Sequence, residues 1–561
     1  MLETRSLLER LVSIGEAVAG TEEARRLAEE AGRLLEEATG VSVEQLKLPV
    51  ATWRDEGGVV ECGGLRVDAR VLPQTLGGVA EGRLVEVHCT QPTCFTHVSR
   101  GDVVIARLPE DPDDVTTIYV NALEAGAEAL IVYDRWPGRY RRIVVSGRWD
   151  YARLPSPAPM PAVHVRLEDG LKLVKHCIGS RVRLDSRASI RWSTGAILEA
   201  RIGEGDREAL VIAHYDHWLT GAGDNLAGVA ALIRAARLLR SLSLGGVAVR
   251  LALLDAEEFG DPMLPAWYWA YGSRWYARML NKTHLLDDIV LVVNLEMPVR
   301  RRLYAAGTPE ARGLVASIAR RLGVEVVEEE YETCYSDGYN FARLGAPSVT
   351  LYNIEDYLEW YHTDADLPTV VDLEAIEAAA KAAFEAIRRL AEDGLRALDY
   401  RGYIEALEGL ETLLPLQARR GVYVFTEEAR KALDEGRVEA LHRALRFLNA
   451  RLGACVFHDD YRWGSGGFKP LLMPWLRVAL EEARMVRERR FGGGDAVIPG
   501  SEEKLPVATP MPVKLWAGGR VERLGGWWGI VERAFREAVV AEAERVDEIL
   551  WGAYELLRAS R

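Results

Sequence analysis

Histidine and carboxylate side chains form five clusters in the middle of this 561-residue chain. They combine imidazole nitrogen with carboxylate oxygen, which are ligand atoms that zinc accepts in enzymes. Any one cluster has a common structural explanation, such as acidic residues at the start of a helix. The ordered set of five indicates a metal-dependent site. Its members are His214-Tyr215-Asp216, Gly221-Ala222-Gly223-Asp224-Asn225, Asp255-Ala256-Glu257-Glu258-Phe259-Gly260, Asn294-Leu295-Glu296 and Tyr361-His362-Thr363.

The residue types suit a pair of metal ions and a reactive water. Two metals a few ångströms apart need one shared carboxylate and about two further ligands each. Two histidines and three carboxylates satisfy that requirement, with one carboxylate left to bridge. Another carboxylate must lie beside the metals to take a proton from the water. The adjacent Glu257 and Glu258 offer both functions, with one side chain turned to a metal and the other to the water.

Each cluster lies at or beyond the end of a predicted β-strand. Apolar runs at 209–213, 247–254, 289–293 and 347–352 alternate with helical patterns such as 226–239. This alternation predicts an α/β fold with a mixed, mainly parallel sheet flanked by helices. Sites in such sheets form at the carboxyl ends of the strands, so we expect the five clusters to converge in space.

The same motifs resemble the di-zinc aminopeptidase and glutamate carboxypeptidase family of metallopeptidases. That family carries the pattern H-x-D, G-A-x-D-N, D-x-E-E-x-G, N-x-D, S-D with a later G-x-P, and Y-H-T-x-x-D. Beyond the clusters above, this chain has Ser336-Asp337, Gly345-Ala346-Pro347 and Asp364-Ala365-Asp366 in the matching places. The match covers residues 188–390 and implies the zinc exopeptidase fold.

The resemblance also implies a cofactor and its ligands. His214 and Glu296 would bind one zinc ion, Glu258 and His362 would bind the other, and Asp224 would bridge them. We therefore expect two Zn²⁺ ions per chain, for which Co²⁺ or Mn²⁺ could substitute.

Three further residues would take part in catalysis according to the resemblance. Glu257 would be the general base, and Tyr361 would stabilise the oxyanion of the tetrahedral intermediate. Asp216 would orient the ring of His214 without binding the metal.

The chain departs from the family pattern at two positions. Glu296 stands where the family usually has aspartate, so its carboxylate is one methylene further from the backbone. Gly338 stands where the family often has histidine, which leaves that wall of the pocket undefined. The chain has an extra imidazole, His217. We expect it to support the ligands from behind or to lie on the surface, rather than to bind a metal.

The sequence predicts four segments. Residues 1–50 are helices that join the peptidase domain, and 188–393 form the zinc peptidase core. Residues 51–187 are a β-rich insert that resembles a protease-associated domain. Residues 394–561 are helical and stand in the position of the dimerisation domain of glutamate carboxypeptidase II and the transferrin receptor, which implies a homodimer.

Composition bounds the partners and the compartment. The net charge of −14 argues against a nucleic-acid binder. No secretory signal and no membrane-spanning run is visible, so we expect a cytoplasmic protein with no membrane partner. Six scattered cysteines predict reduced thiols, although Cys89 and Cys94 are close enough to pair. The arginine-rich pieces 139–142 and 487–490 are expected on solvated faces.

The leading hypothesis is hydrolysis of a terminal peptide bond, and an aminopeptidase is the first choice because the resemblance implies it. A carboxypeptidase or dipeptidase of the same family is the first alternative. A glutaminyl cyclase-like acyltransferase would need only one zinc, and a non-catalytic receptor would have lost ligands. The number of bound metal ions per chain separates a peptidase, with about two, from a cyclase, with about one, and from a receptor, with none. An aromatic run follows Glu258 and contains Pro262, Leu264, Trp267, Tyr268, Trp269 and Tyr271. It predicts a preference for apolar or aromatic residues next to the scissile bond, and packing in the core or an oligomer contact is the alternative explanation.

Overall fold

The computed structural model describes residues 2–145, 157–261, 268–329, 332, 335–409, 419–452 and 544–559. No helix within these ranges is both long enough and apolar enough to cross a membrane. The strands are β1 (Glu44–Cys62), β2 (Leu65–Val71), β3 (Gly77–Val87), β4 (Val103–Arg107), β5 (Ala129–Tyr133), β6 (Ala162–Val165), β7 (Arg181–Ile202), β8 (Arg207–His214), β9 (Val247–Leu254), β10 (Ile289–Leu295), β11 (Arg302–Gly307), β12 (Glu325–Glu328) and β13 (Ser348–Tyr352). The helices are α1 (Leu2–Val12), α2 (Glu22–Thr39), α3 (Val115–Glu124), α4 (Leu167–Cys177), α5 (Ala227–Leu239), α6 (Tyr271–Lys282), α7 (Leu285–Asp288), α8 (Pro309–Arg321), α9 (Tyr339–Ala342), α10 (Leu373–Asp393), α11 (Tyr400–Gly409), α12 (Arg419–Asp434) and α13 (Val438–Leu452).

The peptidase half is a mixed sheet with the order β7-β9-β8-β10-β13-β11-β12. The four central strands β9, β8, β10 and β13 are parallel to one another. The flanking strands β7 and β11 pair with them in the antiparallel sense. Strands β9 and β10 are buried along their whole length, as expected for parallel strands covered on both faces. The α/β class predicted from the sequence is confirmed.

The two faces of this sheet pack into separate cores. Along β8, Ala209, Val211 and Ala213 join the core that contains α1, α2, α5, α8 and α10. The intervening Leu210 and Ile212 join the core that contains α6 on the other face. Successive strand residues point to opposite faces, so an unbroken apolar run supplies both cores. The sheet therefore lies between two layers of helices.

The segment predicted as a β-rich insert forms a closed ring of strands. The order β1-β2-β6-β5-β4-β3-β7 returns to its start because β1 also pairs with β7. β1 and β7 pair from Glu44 with Glu199 to Glu61 with Arg183, with one register shift between Asp55 and Gly58, so both strands belong to the peptidase sheet and to the ring. The predicted boundaries at residues 51 and 187 lie inside these two strands.

The described helices after Gly394 do not form a separate core. Apolar side chains of α11, α12, α13 and residues 544–559 belong to the same cluster as α5, α8 and α10. This part of the predicted C-terminal segment is helical, as expected. The arginine-rich piece at 487–490 lies outside the part of the chain that the structure describes.

The cysteine prediction is wrong for four of the six residues. Cys62 and Cys177 form a disulfide with Cα atoms 6.3 Å apart, and Cys89 and Cys94 form another with Cα atoms 6.0 Å apart. The first pair is separated by 115 residues in sequence and meets only because the ring closes. Spacing along the chain therefore gave no sign of it. The cytoplasmic location remains a prediction.

Candidate metal centre

The strand ends bring the predicted site residues to one edge of the sheet. His214 is the last residue of β8, and Glu296 directly follows β10. Glu257 and Glu258 come just after β9, and His362 lies in the loop after β13. These four strands are parallel, so their carboxyl ends meet at the same edge, as the sequence predicts.

Two overlapping groups of ligand atoms form at this edge. Among the described residues, His214, Asp224 and Glu296 make one group, and Asp224, Glu258 and His362 make the other, each with ligand atoms within 4.8 Å of one another. His214 Nε2 lies 2.8 Å from Glu296 Oε1 and 3.5 Å from Asp224 Oδ1. His362 Nε2 lies 3.0 Å from Glu258 Oε2 and 3.1 Å from Asp224 Oδ2. Asp224 thus turns one oxygen to each histidine.

These side chains fit two zinc ions. Each group offers one imidazole nitrogen and two carboxylates, which leaves a position for water or substrate on a four-coordinate ion. The longer side chain of Glu296 reaches His214 Nε2 without disturbing the group. The glutamate that replaces the usual aspartate is therefore accommodated.

The charges of the groups favour bound cations. Burial lowers the pKa of His362, but the charge of Glu258 and hydrogen bonds with Asp224 outweigh it and raise that pKa to about 10. Burial raises the pKa of Glu258 to about 8. Burial also raises the pKa of Glu257 well above its usual range, and Asp337 and Glu296 add to this effect. Carboxylates gathered out of water carry unfavourable repulsion, which a metal cation would relieve.

Glu257 lies beside the two ligand groups and belongs to neither. Its Oε2 atom is 4.0 Å from His214 Nε2. Glu258 points to His362 instead, so the two adjacent glutamates diverge. The assignment of Glu257 as the base and Glu258 as a ligand stays a prediction.

The structure corrects how Asp216 acts. The Nδ1–H of His214 donates to the backbone oxygen of Asp216 at 3.0 Å, while the nearer carboxylate oxygen is 3.7 Å from the ring. That carboxylate accepts hydrogen bonds from the backbone N–H groups of Glu257 and Glu258, each at 3.0 Å. Asp216 therefore orients His214 through its main chain and the two glutamates through its side chain.

Tyr361 packs against the ring of the ligand next to it. The two rings of Tyr361 and His362 stack with centroids 3.6 Å apart. Burial raises the pKa of Tyr361 well above its usual range, and the negative charges of Asp113, Asp224 and Glu258 add to it. Its hydroxyl therefore stays protonated and can donate a hydrogen bond.

Two residues for which the sequence predicted no role hold the loop that carries Asp224. Asp366 Oδ1 and Oδ2 accept the N–H groups of Gly223 and Asp224 at 2.8 and 3.2 Å. Asn225 Nδ2 donates to the backbone oxygen of Leu295 at 2.9 Å, which ties this loop to the end of β10. Both residues belong to the motifs quoted above, but the motifs did not predict that these residues hold the loop.

The departure at Gly338 and the extra imidazole of His217 have simple local explanations. A Cβ atom on Gly338 would lie 2.6 Å from Thr350 Oγ1 and 2.9 Å from Glu332 Oε2, so these side chains occupy the space of the missing histidine. His217 is fully buried, and its ring lies against Gly221, where a Cβ would be 2.2 Å from its Cδ2 atom. His217 is not a member of either ligand group.

The prediction of a solvated face for Arg139 to Arg142 is wrong. All three arginines of this piece are buried. The backbone N–H of Arg142 donates to the oxygen of His362 at 3.0 Å, and the Nδ1–H of His362 donates to the oxygen of Arg142 at 3.1 Å. An oxygen can only accept, so Nδ1 carries the proton and Nε2 is left for a metal. This contact between distant segments has no signature in the sequence.

An aromatic series runs past the metal ligands. Trp218 contacts Phe259, which contacts Tyr268, and Tyr268 contacts Trp269 with ring centroids 5.0 Å apart. Trp269 stacks on Tyr335 at 5.8 Å with an interplanar angle of 19°. The structure does not describe the predicted members Pro262, Leu264 and Trp267.

Residues 197–387, which carry all of the ligands above, match the model of the family described as peptidase family M28. These residues belong to peptidase family M28. The matched range contains β8 to β13 with their intervening helices, and it excludes the strands that are unique to the ring.

Relatives of the M28 core include proteins described as aminopeptidases. A probable lipoprotein aminopeptidase of Mycobacterium tuberculosis, LpqL, is 27% identical over 274 residues, which cover 46% of this chain and 50% of that protein. The zinc aminopeptidase BSAP of Bacillus subtilis has a TM-score of 0.55 and 19% identity, with 68% of this chain and 93% of that chain covered. A peptidase M28 precursor of Shewanella amazonensis has a TM-score of 0.55 and 18% identity, covering 69% and 92%. The solved structures establish a shared fold, and the curated relative is matched over half of its length.

Proposed function

We propose that this chain is a di-zinc aminopeptidase that hydrolyses the first peptide bond of its substrate. The carboxylate of Asp224 carries this proposal, because its oxygens lie 3.5 Å from His214 Nε2 and 3.1 Å from His362 Nε2. A carboxylate shared between two ligand groups is what a metal pair needs. The aminopeptidase descriptions of LpqL and BSAP support the choice of chain end.

The proposed cofactor is two Zn²⁺ ions per chain, with Co²⁺ or Mn²⁺ able to substitute. His214 and Glu296 would hold one ion, Glu258 and His362 the other, and Asp224 both. When bound, the ions would polarise the scissile carbonyl and lower the pKa of the attacking water. Imidazole and carboxylate ligands suit each of these metals.

The chain's own residues move the proton and stabilise the charge. Glu257 would accept the proton of the attacking water and pass it to the leaving amine, from a position beside the ligands. Tyr361 would donate its hydroxyl hydrogen to the oxyanion. Asp216 would keep Glu257 and Glu258 diverging through its two backbone hydrogen bonds.

One experiment tests the reaction class. The zinc-loaded protein is incubated with a set of free and N-blocked peptides, and the products are read by mass spectrometry. Loss of single residues from free N-termini only is the expected result. Release from the C-terminus would favour a carboxypeptidase, and cyclisation of N-terminal glutamine with about one bound zinc would favour a glutaminyl cyclase.

We propose that the chain acts as a homodimer. The position of its helical C-terminal segment supports this, and two-fold dimers are the commonest oligomers. Light scattering at micromolar concentration should give about twice the chain mass of 62.4 kDa. A particle of single-chain mass would contradict the proposal.

We also propose that the closed ring of strands corresponds to a protease-associated domain. The parallel order β3-β4-β5-β6, with α3 between β4 and β5 and α4 directly after β6, supports this assignment. The ring reaches the metal centre through the contact between Arg142 and His362.

A further inference from the structure

The chain that follows β5 leaves the ring and runs along the loop that carries His362. Arg141 forms an antiparallel bridge with Thr363, beside the two hydrogen bonds between Arg142 and His362. One residue earlier, the N–H of Tyr140 donates to Asp364 Oδ1 at 2.9 Å. Three successive residues of the ring segment thus fix three successive residues of the ligand loop.

The guanidinium group of Arg141 holds the other end of the same loop. Its Nη1 atom donates to the backbone oxygens of Leu358, at 3.0 Å, and Tyr361. Its Nη2 atom donates to the backbone oxygen of Glu359 at 3.0 Å. The side chain is fully buried, so these carbonyl groups have a fixed donor in place of water.

Arg141 is itself fixed from behind. Its Nε–H donates to Asp134 Oδ2 at 3.1 Å, while Asp134 Oδ1 accepts the N–H groups of Arg135 and Trp136 at 2.7 and 3.0 Å. His164 Nδ1 accepts the backbone N–H of Arg141 at 3.3 Å. Arg141, Asp134 and His164 are each fully buried. A buried charge of this kind costs desolvation, which these hydrogen bonds offset.

His362 needs such support. Its φ angle is +59°, in the left-handed region that is unfavourable for a residue with a side chain. Strain of this size persists only where the surroundings over-determine the conformation. The donors on Arg141 and the main chain of Arg142 supply that determination.

We infer that Arg141 is a positioning residue for the zinc ion that Glu258 and His362 would hold. It fixes the backbone of residues 358–361, and thereby the place of His362 Nε2 opposite Glu258 and Asp224. This inference rests on the proposed metal centre. It assigns to the ring of strands a direct function in completing one of the two metal sites.

Lysine cannot replace this arginine. A guanidinium group presents several N–H donors in a rigid plane and reaches three carbonyl groups and one carboxylate at once. An ammonium group at the end of a flexible chain cannot hold the same set of acceptors. Arg141→Lys keeps the charge and therefore tests the geometry alone.

The test is a calorimetric titration of the metal-free full-length protein with Zn²⁺. We expect Arg141→Lys to weaken one of two binding steps by about 10- to 100-fold, as for other residues that orient ligands, and to leave the other step unchanged. His362→Ala and Glu296→Ala identify the two steps. Arg250→Lys is the matched control, because Arg250 is also buried and pairs with Glu199 and Glu208 away from the site. It should keep both steps.

The outcomes separate this inference from the proposed function. If Arg141→Lys binds both ions as the wild type does, the positioning role is wrong while the metal centre stands. If it weakens the step assigned to Glu296, or if Arg250→Lys weakens the His362 step equally, the role is also wrong. A wild-type protein that binds fewer than two ions would instead contradict the proposed function. Should Arg141→Lys not fold, Asp134→Asn, which loosens Arg141 from behind, must show the same selective loss.

Discussion

The carboxylate of Asp216 accepts a hydrogen bond from the backbone N–H of Glu257 at 3.0 Å. Its other oxygen accepts the N–H of Glu258 at the same distance. One aspartate therefore sets the main-chain position of both the proposed base and the proposed ligand. The two side chains diverge from that fixed point, Glu257 toward His214 and Glu258 toward His362.

Asp216→Asn should separate this function from metal binding by His214. The amide keeps the backbone oxygen that accepts from His214, but its NH₂ group cannot accept the second backbone N–H. We expect the rate to fall by about 10- to 100-fold, the usual effect of losing a partner that orients ligands. Steady-state kinetics with zinc analysis measures this, and unchanged kcat/KM would show that the two hydrogen bonds are not needed.

The aromatic series predicts a preference for apolar or aromatic N-terminal residues. Trp269 and Tyr335 stack beyond Glu258, and Tyr335 is 46% exposed. Trp269→Ala should lower kcat/KM for peptides with large apolar N-termini by about 10-fold or more, because lost apolar contact in a pocket costs roughly this much. Trp551→Ala, in the C-terminal helical segment 544–559, is the control. Fastest cleavage of charged N-terminal residues by the wild type would refute the idea.

Glu310 on α8 predicts a pH dependence of stability away from the site. Burial raises its pKa from 4.5 to about 7, and Asn449 donates to it at 2.8 Å. The folded state binds this proton more tightly than the unfolded state does. Its stabilising contribution is therefore complete below pH 4.5 and is lost as the pH rises through about 7. The rise in pKa corresponds to about 3 kcal/mol.

Glu310→Gln should remove this dependence. The free energy of unfolding of the variant, relative to that of the wild type, should increase as the pH rises from 5 to 8. Urea unfolding at several pH values measures this difference. Glu405→Gln, an exposed substitution on α11, should follow the wild type. A constant difference between Glu310→Gln and the wild type at every pH would contradict the prediction.

The fold class and the convergence of the ligands could be predicted because both follow from local patterns. Apolar runs such as 247–254 are long enough to be buried on both faces, and polar residues placed just after them meet at one sheet edge. His214 and Glu296 are adjacent in space for this reason alone. The distinction between Glu257 and Glu258 came from the family resemblance and not from the pattern.

What the sequence could not predict depends on contacts between distant segments. Arg141 and Glu359 are 218 residues apart, and an arginine-rich piece in isolation indicates a solvated face. Cys62 and Cys177 become neighbours only through the pairing of β1 with β7 and closure of the ring. The side-chain function of Asp216 was also missed. Its partners are main-chain N–H groups, which every residue except proline has, so no residue type indicates them.

The central claim is that Glu257 is the general base and Glu258 a metal ligand. Glutamine has nearly the same shape as glutamate but cannot accept the proton of the water. Glu258→Gln removes an anionic ligand and should lower zinc occupancy together with the rate. Zinc loss in Glu257→Gln with full occupancy in Glu258→Gln would mean that the two assignments are exchanged.

The most direct measurement is the turnover of Glu257→Gln at full zinc occupancy. Because Glu257 belongs to neither ligand group, the variant should fold and bind two ions like the wild type. Its kcat should nevertheless fall by on the order of 10² to 10⁴, the usual contribution of a general base. Wild-type turnover in a variant shown to hold two zinc ions would contradict the mechanism altogether.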